Sequence, residues 1–222
     1  MAGDRAAPNG LGSPWWRRRR RASLDRVSQP IIRVAVVDDH DAIRLGLRTA
    51  LLAEPDLEAV GSAASAAAAE PLLYRTRPDV VLVDYRLPGV DGLTLCRRIK
   101  SEPLAPRVVL FSAFAEPWLT VPAIVAGVDA IVDKGAQTRE LFEAIRRAAR
   151  GEPTLPEISP ALLEVAGQML DPSDLPILGM LVRQTAAGEI ASTLRVTRAE
   201  LDRRIAGMLA RLKVPLPESA SA

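Results

Sequence analysis

The sequence predicts an α/β fold, with five parallel strands in a doubly wound sheet followed by a small all-α domain. Two observations predict the first part: short apolar runs alternate with segments of helical periodicity, and polar residues stand where the runs end. One observation predicts the second, because only helical signals remain beyond residue 170. Apolar residues make up 48% of the 222 residues, which is ample for a packed core.

The strands are predicted from continuous apolar runs, because parallel strands covered on both faces are apolar at every position. The five runs, of which the second is the weakest, are Ile31–Val37, Leu57–Ala63, Val80–Val83, Val108–Phe111 and Ala130–Val132. The helices between them repeat apolar residues on one face. They are predicted around Ile43–Leu51, Ala63–Ala69, Gly92–Lys100 and Leu141–Ala149.

Changes in composition predict the domain boundaries. Residues 1–30 show no regular period and hold seven arginines against two aspartates, so we expect a disordered basic extension or a start codon assigned too early. A proline-rich break follows residue 150. The predicted division is an extension over 1–30, an α/β domain over 31–150, a linker with a connecting helix over 151–169, a helical domain over 170–214 and a tail over 215–222.

Composition excludes several classes of protein. The single cysteine, Cys96, excludes a disulfide scaffold and a cysteine-based zinc cluster. No apolar run approaches the roughly 20 residues of a membrane span, and none follows the basic run Arg17–Arg21 as a secretory signal requires. We therefore expect a cytoplasmic protein without a membrane partner. Beyond residue 30 acidic side chains slightly outnumber basic ones, which argues against tight nonspecific binding to nucleic acid.

Polar residues at the carboxyl ends of the predicted strands are the most informative feature. In an open α/β sheet these ends meet at one crevice, where ligands bind. The residues are Asp38, Asp39, Asp84, Ser112, Asp133 and Lys134. Carboxylates gathered there repel one another without a cation, and oxygen ligands suit Mg²⁺. A lysine and a hydroxyl beside them fit a phosphoryl group, so one carboxylate can act as a nucleophile that forms an aspartyl-phosphate.

These residues also carry a family resemblance. The segments Val36-Val37-Asp38-Asp39-His40, Asp84-Tyr85-Arg86-Leu87-Pro88-Gly89-Val90-Asp91-Gly92, Phe111-Ser112-Ala113 and Asp133-Lys134 resemble the flavodoxin-like receiver domain of two-component response regulators. The resemblance covers residues 31–150.

The resemblance implies a role for each residue of the pocket. Asp84 is expected to accept a phosphoryl group from a cognate histidine kinase. Asp38, Asp39 and Asp84 are expected to bind Mg²⁺ together with the backbone carbonyl of Arg86. Ser112 and Lys134 are then expected to contact the phosphoryl group. One departure is Ile131, where the family usually has the Tyr or Phe that rotates on activation, so the switch is expected to use another coupling element or to be weak.

The C-terminal part resembles the LuxR-type helix-turn-helix of NarL/FixJ regulators. Its capping box, Thr197-Arg198-Ala199-Glu200, opens the segment Thr197–Leu212, which the resemblance makes the recognition helix. The candidate DNA contacts are Arg198, Arg203 and Arg204.

Three residues depart from that family pattern. Arg195 replaces a turn glycine, at a cost of roughly 1 kcal/mol if its φ is positive. Glu200 and Asp202 place carboxylates near the expected DNA phosphates, and only Glu200 is explained by the capping box.

Three functions remain open at this point. The leading hypothesis is a transcription regulator that forms a homodimer on phosphorylation and binds promoter DNA. It is not expected to be an enzyme, except that it assists its own Mg²⁺-dependent phosphorylation and dephosphorylation. The alternative is a phosphorylation-switched protein-interaction module whose degenerate helix-turn-helix no longer binds DNA. A hydrolase that passes through an aspartyl-phosphate is disfavoured, because Arg86 stands where such enzymes need an acid/base carboxylate.

Overall fold

A computed structural model describes residues 30–102, 104–113 and 116–213. Its five strands form one parallel sheet in the order β2-β1-β3-β4-β5. The strands are β1 Ile32–Val37, β2 Leu57–Ala63, β3 Val80–Val83, β4 Arg107–Ser112 and β5 Ala130–Asp133. The predicted fold class is thus confirmed, including the weakest strand. The predicted extension, apart from Pro30, and the predicted C-terminal tail lie outside the described residues.

In the described chain, four helices connect successive strands, as right-handed parallel crossovers require, and a fifth follows the last strand. They are α1 Asp41–Leu52, α2 Ala66–Thr76, α3 Gly92–Ser101, α4 Thr120–Ala126, which follows a short 3₁₀ turn at Pro117–Leu119, and α5 Thr138–Ala149. The prediction of a helix from Ala63 was wrong at its start, since Ala63 closes β2. Helix α2 begins after Ser65, whose hydroxyl accepts a hydrogen bond from the Ala68 N–H at 3.2 Å. That cap fixes the start of the helix.

Apolar side chains cover both faces of the sheet, which explains why the strands are apolar throughout. In β1, Val34 and Val36 belong to a core that includes Leu141 and Ile145 of α5. The alternate residues Ala35 and Val37 belong to a second core with α2, α3 and α4. The period-2 alternation of a strand therefore supplies two hydrophobic layers.

Four helices and a second short 3₁₀ turn make up the C-terminal region as far as residue 213, where the described chain ends, which confirms its all-α prediction. They are α6 Pro160–Gln168, the 3₁₀ turn Pro172–Asp174, α7 Leu175–Val182, α8 Ala187–Leu194 and α9 Arg198–Leu212. The Thr197 hydroxyl accepts a hydrogen bond from the Glu200 N–H at 3.1 Å, so half of the predicted capping box is formed. Arg195 ends α8 with φ 55°, the positive value expected of a glycine position.

The C-terminal helices pack directly on the α/β part, and together they form one unit that begins at Ile32. Their main contact is α4, which touches α6, α7 and α9. Six of the seven residues of α4 are buried, and its sequence, TVPAIVA, contains no charge. One apolar core therefore runs from the sheet through α4 into the C-terminal helices. Across the described part of the chain, no helix combines the length and apolar character that crossing a membrane requires.

Candidate functional site

The candidate site lies at the carboxyl ends of β1 and β3. These neighbouring strands send their connections to opposite sides, and such a reversal opens a crevice above the sheet. Asp38 and Asp84 follow the two strands directly, and only 1% and 4% of their surfaces are exposed. The Asp84 N–H donates to the Val37 carbonyl at 2.8 Å, which continues the β1–β3 pairing into the site.

Lys134 joins the two buried carboxylates. Its Nζ lies 2.7 Å from Asp38 Oδ2 and 2.9 Å from Asp84 Oδ2. Burial raises the pKa of Asp84, and the repulsion from Asp38 adds to this, while Lys134 offsets only part of the increase. Burial alone lowers the pKa of Lys134, but its pairs with both carboxylates outweigh burial and leave that pKa raised. Lys134 is therefore held in its charged form between the two carboxyl groups.

Asp39 and His40 form the exposed rim of the pocket. The His40 N–H donates to Asp38 Oδ1 at 2.8 Å, and its ring Nδ1 lies 2.7 Å from Asp39 Oδ1. Asp38, Asp39, His40 and Asp84 each offer one ligand atom, and these four atoms lie within 4.8 Å of one another. The donor set of three carboxylates and one imidazole can hold a divalent cation.

Ser112 and Arg86 are bonded to other residues of the pocket through their backbones. Ser112 ends β4 and is fully buried, and its carbonyl accepts the Lys134 N–H at 2.9 Å. The Arg86 N–H donates to the Asp84 carboxylate and opposes the rise in the pKa of Asp84. The structure thus joins Lys134 to both buried carboxylates, with the Arg86 N–H on Asp84 and the Ser112 carbonyl on the Lys134 N–H.

The start of α3 is tied closely to the backbone of Asp84. The Gly92 N–H donates to the Tyr85 carbonyl at 2.8 Å, and a Cβ on Gly92 would lie 2.0 Å from the Asp84 carbonyl oxygen. Only glycine allows this approach. Tyr85 is buried and meets the Trp118 ring edge-on, with 5.9 Å between the ring centroids. These contacts connect the backbone around Asp84 to the start of α3 and to the 3₁₀ turn before α4.

The three arginines predicted to contact DNA lie on α9, apart from the pocket. Arg203 is exposed and pairs with Glu200. Arg204 donates from Nε to the buried Asp174 at 2.7 Å. The Arg198 Nε lies 3.1 Å from both carboxylate oxygens of Asp202. Each arginine is thus paired with a carboxylate of the C-terminal region.

Ion pairs between α3 and the ends of α9 were not predicted from the sequence. Asp202 pairs with Arg97 of α3, and the two side chains are 24% and 11% exposed. At the other end of α9, Lys213 Nζ lies 2.6 Å from Asp91 Oδ2, and it also contacts the Thr94 hydroxyl. Burial raises the pKa of Asp91, but the pair with Lys213 and the hydrogen bond from the Thr94 N–H outweigh burial. The pKa of Asp91 therefore lies below its ordinary value.

These contacts account for the acidic residue at 202, which the sequence alone left unexplained. The partners in the two pairs lie more than 100 positions apart in the chain. The one hint in the sequence is the unexpected sign of the charge at Asp202, since a position facing DNA phosphates favours a cation.

Comparisons with known proteins agree with this architecture. The sequence-family model for the response regulator receiver domain matches residues 34–146. The transcriptional regulatory protein LiaR of Bacillus subtilis is 29% identical over 200 residues, covering 83% of this chain and 92% of LiaR.

Two solved structures of response regulators are similar to part of this chain. The receiver domain of the response regulator NarL from Mycobacterium tuberculosis is 36% identical, with a TM-score of 0.53 over 55% of this chain and 98% of that one. A LuxR-family response regulator from Aurantimonas sp. SI85-9A1 is 30% identical, with a TM-score of 0.54 over 60% of this chain and 94% of that one.

The fold, the acidic crevice and these matches define the class: the chain belongs to the response regulator receiver family. The C-terminal helices and the match to LiaR along most of the chain identify its type as NarL/LuxR. The three relatives are named as regulators, and none is named as an enzyme.

Proposed function

We propose that this chain is a response regulator that accepts a phosphoryl group on Asp84 from a histidine kinase and controls transcription through its C-terminal helix-turn-helix. The observation that carries the proposal is the buried pair of carboxylates, Asp38 and Asp84, held by Lys134 at the carboxyl ends of adjacent strands. A role in transcription requires access to the genome, so we propose a cytoplasmic location.

The pocket residues divide the chemistry of transfer among them. A carboxylate oxygen of Asp84 forms a bond to phosphorus while the bond from phosphorus to the kinase histidine nitrogen breaks, and that nitrogen keeps the electron pair. Lys134 neutralises charge on the transferred group, and the Ser112 hydroxyl donates a hydrogen bond to it.

Mg²⁺ is the proposed cofactor, because carboxylate oxygens are the ligands it prefers. Asp38, Asp39 and Asp84, with the backbone carbonyl of Arg86, would hold the ion, and it would neutralise charge on the phosphoryl oxygens. The negative charge of three carboxylates exceeds what Lys134 alone balances, so a divalent cation fits the pocket electrostatically.

We propose that docking of α9 against α3 keeps DNA binding low before phosphorylation. Asp202, near the start of the proposed recognition helix, pairs with Arg97, and Arg198 reaches the Lys100 carbonyl at 3.4 Å. An α9 held in this way cannot lie in a major groove with the same residues. Phosphorylation of Asp84 would shift α3 through its tight contact with Gly92 and weaken these pairs.

Release of α9 would also uncover α4, whose apolar surface favours association. We propose that a second copy covers this surface, so that phosphorylation promotes a homodimer that binds two half-sites of promoter DNA. Arg198, Arg203 and Arg204 are the proposed DNA contacts, since release of the docked helix frees at least Arg198 from the Lys100 carbonyl.

Labelling tests the phosphorylation half of the proposal. A small acyl phosphate with Mg²⁺ is expected to add one phosphoryl group, detected by intact mass, and Asp84→Asn is expected to abolish it. Asp133→Asn is the matched control, because Asp133 is an exposed carboxylate at the end of β5 that accepts the Gly135 N–H. Equal labelling of the Asp84 variant would refute the assignment.

Selection from random or genomic DNA fragments tests the transcription half. With beryllofluoride as a phosphoryl mimic, the purified chain is expected to enrich a site with two half-sites, and without it the enrichment is expected to be weaker. Enrichment in neither state would instead favour the protein-interaction alternative, which no comparison supports.

A further inference from the structure

We propose that His40 is a ligand of the acidic pocket and makes it a binding site for a transition-metal divalent cation, such as Zn²⁺, in competition with Mg²⁺. This inference rests on the proposed Mg²⁺ pocket and adds a residue and a metal class to it. It begins from the position of the His40 ring over the acidic pair.

The geometry brings the imidazole within reach of the carboxylates. His40 Nδ1 lies 2.7 Å from Asp39 Oδ1 and 3.3 Å from Asp38 Oδ1. One atom from each of these residues and one from Asp84 fit within 4.8 Å of one another. A metal with bonds of about 2.0–2.2 Å to nitrogen and oxygen has ligand atoms separated by distances of this order. Four side chains can therefore reach one ion with small adjustments.

The local backbone holds His40 in this place. Its N–H donates to Asp38 Oδ1 at 2.8 Å, and its carbonyl accepts the Arg44 N–H at 3.1 Å as α1 begins. The side chain itself is 65% exposed, so the ring can turn toward an ion without displacing core residues. The backbone is thus fixed while the ligand remains adjustable.

The chemistry of the ligand atoms decides which class of metal binds more tightly when His40 is present. Mg²⁺ is a hard cation that prefers oxygen and keeps several waters, so an added nitrogen gives it little. Zn²⁺ and its neighbours bind imidazole well, and their affinity for mixed nitrogen and oxygen sites follows the Irving–Williams order. His40 therefore raises the affinity for Zn²⁺ far more than the affinity for Mg²⁺.

Occupation by a transition metal has a consequence for the switch. The ion would use an oxygen of Asp84 as a ligand and exclude Mg²⁺ from the same place. Phosphorylation at Asp84 would then fall as Zn²⁺ rises, which makes the pocket sensitive to metal supply as well as to the kinase. The one alternative role for His40 in this geometry is to orient Asp39 by a hydrogen bond, without touching the metal.

The experiment uses the only histidine in the 222-residue sequence. Untagged full-length protein, labelled with ¹⁵N in the imidazole, gives one pair of ring-nitrogen signals. Titration with Zn²⁺ is expected to move one of them strongly, and Mg²⁺ is expected to move neither to a similar extent. Calorimetry is expected to show that His40→Asn weakens Zn²⁺ binding at least about tenfold and Mg²⁺ binding less than about twofold.

Two variants control for indirect effects. Asparagine is a favoured residue at a helix N-cap, the position of His40, so His40→Asn should fold. Asp41→Asn changes the adjacent residue, which is exposed and pairs with Arg44, and is expected to leave Zn²⁺ affinity unchanged.

Unmoved imidazole signals, or equal loss of Zn²⁺ and Mg²⁺ affinity in His40→Asn, would overturn the proposal. If acyl phosphate and Mg²⁺ still phosphorylate Asp84 when either of these results is found, the proposed function stands. Conversely, Zn²⁺ ligation by His40 in a chain that Mg²⁺ and acyl phosphate cannot label would support the metal site and refute the proposed function.

Discussion

The ion pair between Asp202 and Arg97 gives the sharpest prediction about gating. Replacing Asp202 with lysine removes the partner of Arg97 and puts a cation beside it and beside Arg198. Exposed pairs are worth up to about 1 kcal/mol, and breaking a buried pair costs about 3–5 kcal/mol. With side chains 24% and 11% exposed, an intermediate value of about 2 kcal/mol is expected.

A change of about 2 kcal/mol shifts the equilibrium between docked and released α9 by roughly 30-fold. When the released form is rare, the apparent DNA affinity of the unphosphorylated chain rises by the same factor. Fluorescence anisotropy on a selected DNA site, over a series of salt concentrations, measures this gain. Beryllofluoride should reduce the difference between variant and wild type, because it releases α9 in both.

Variants on the receiver side separate gating from direct effects on DNA. Arg97→Ala is expected to raise DNA affinity without changing its salt dependence, because α9 keeps its charges. Asp202→Lys is expected to steepen that dependence by about one phosphate contact. Arg98→Ala is the matched control, since Arg98 lies on the same helix but pairs with Glu70 of α2. DNA affinities of Arg97→Ala and Arg98→Ala that agree within about twofold would falsify the gating argument.

The remaining predictions concern stability, measured by urea unfolding. Lys134→Met leaves two buried carboxylates without their cation and is expected to lower the free energy of unfolding by about 3 kcal/mol. Millimolar Mg²⁺ is expected to restore part of that stability. An unchanged free energy of unfolding in metal-free buffer would contradict the ion-pair geometry. Gly92→Ala is expected to lose about 2–3 kcal/mol through overlap with a backbone carbonyl, whereas Gly46→Ala, in open space on α1, should gain about 0.5–1 kcal/mol; equal effects would be inconsistent with that overlap. Arg195→Gly is expected to gain about 1 kcal/mol because of its positive φ, and Arg183→Gly, at φ −81°, should gain nothing.

The strands and the pocket were predictable because both depend on local signals. A strand buried on both faces is apolar at each position, and Asp38 and Asp84 follow such runs directly. The strand ends of a parallel sheet must meet, so the convergence of these residues follows from topology. For Arg195, a positive φ was expected only through the family resemblance, which places a turn glycine at that position.

The docking of α9 was not predictable, because it depends on contacts between distant parts of the chain. Nothing local to Asp202 shows that Arg97 lies opposite, and nothing local to Lys213 indicates Asp91. The proximity of His40 to Asp39 was also missed, since the direction of an exposed side chain depends on its rotamer. The early start assigned to α2 failed for a local reason, the Ser65 cap.

The apolar helix α4 limits how far the two halves of this chain can be treated as interchangeable parts. Its outer surface is matched to α6, α7 and α9, with Val121 and Val125 almost wholly shielded from water. A fragment ending near residue 150 would present that surface to solvent and tend to aggregate. Grafting a different output domain onto this receiver therefore requires redesign of α4. Substitutions at Val121 and Val125 must remain compatible with the packing of both halves of the chain.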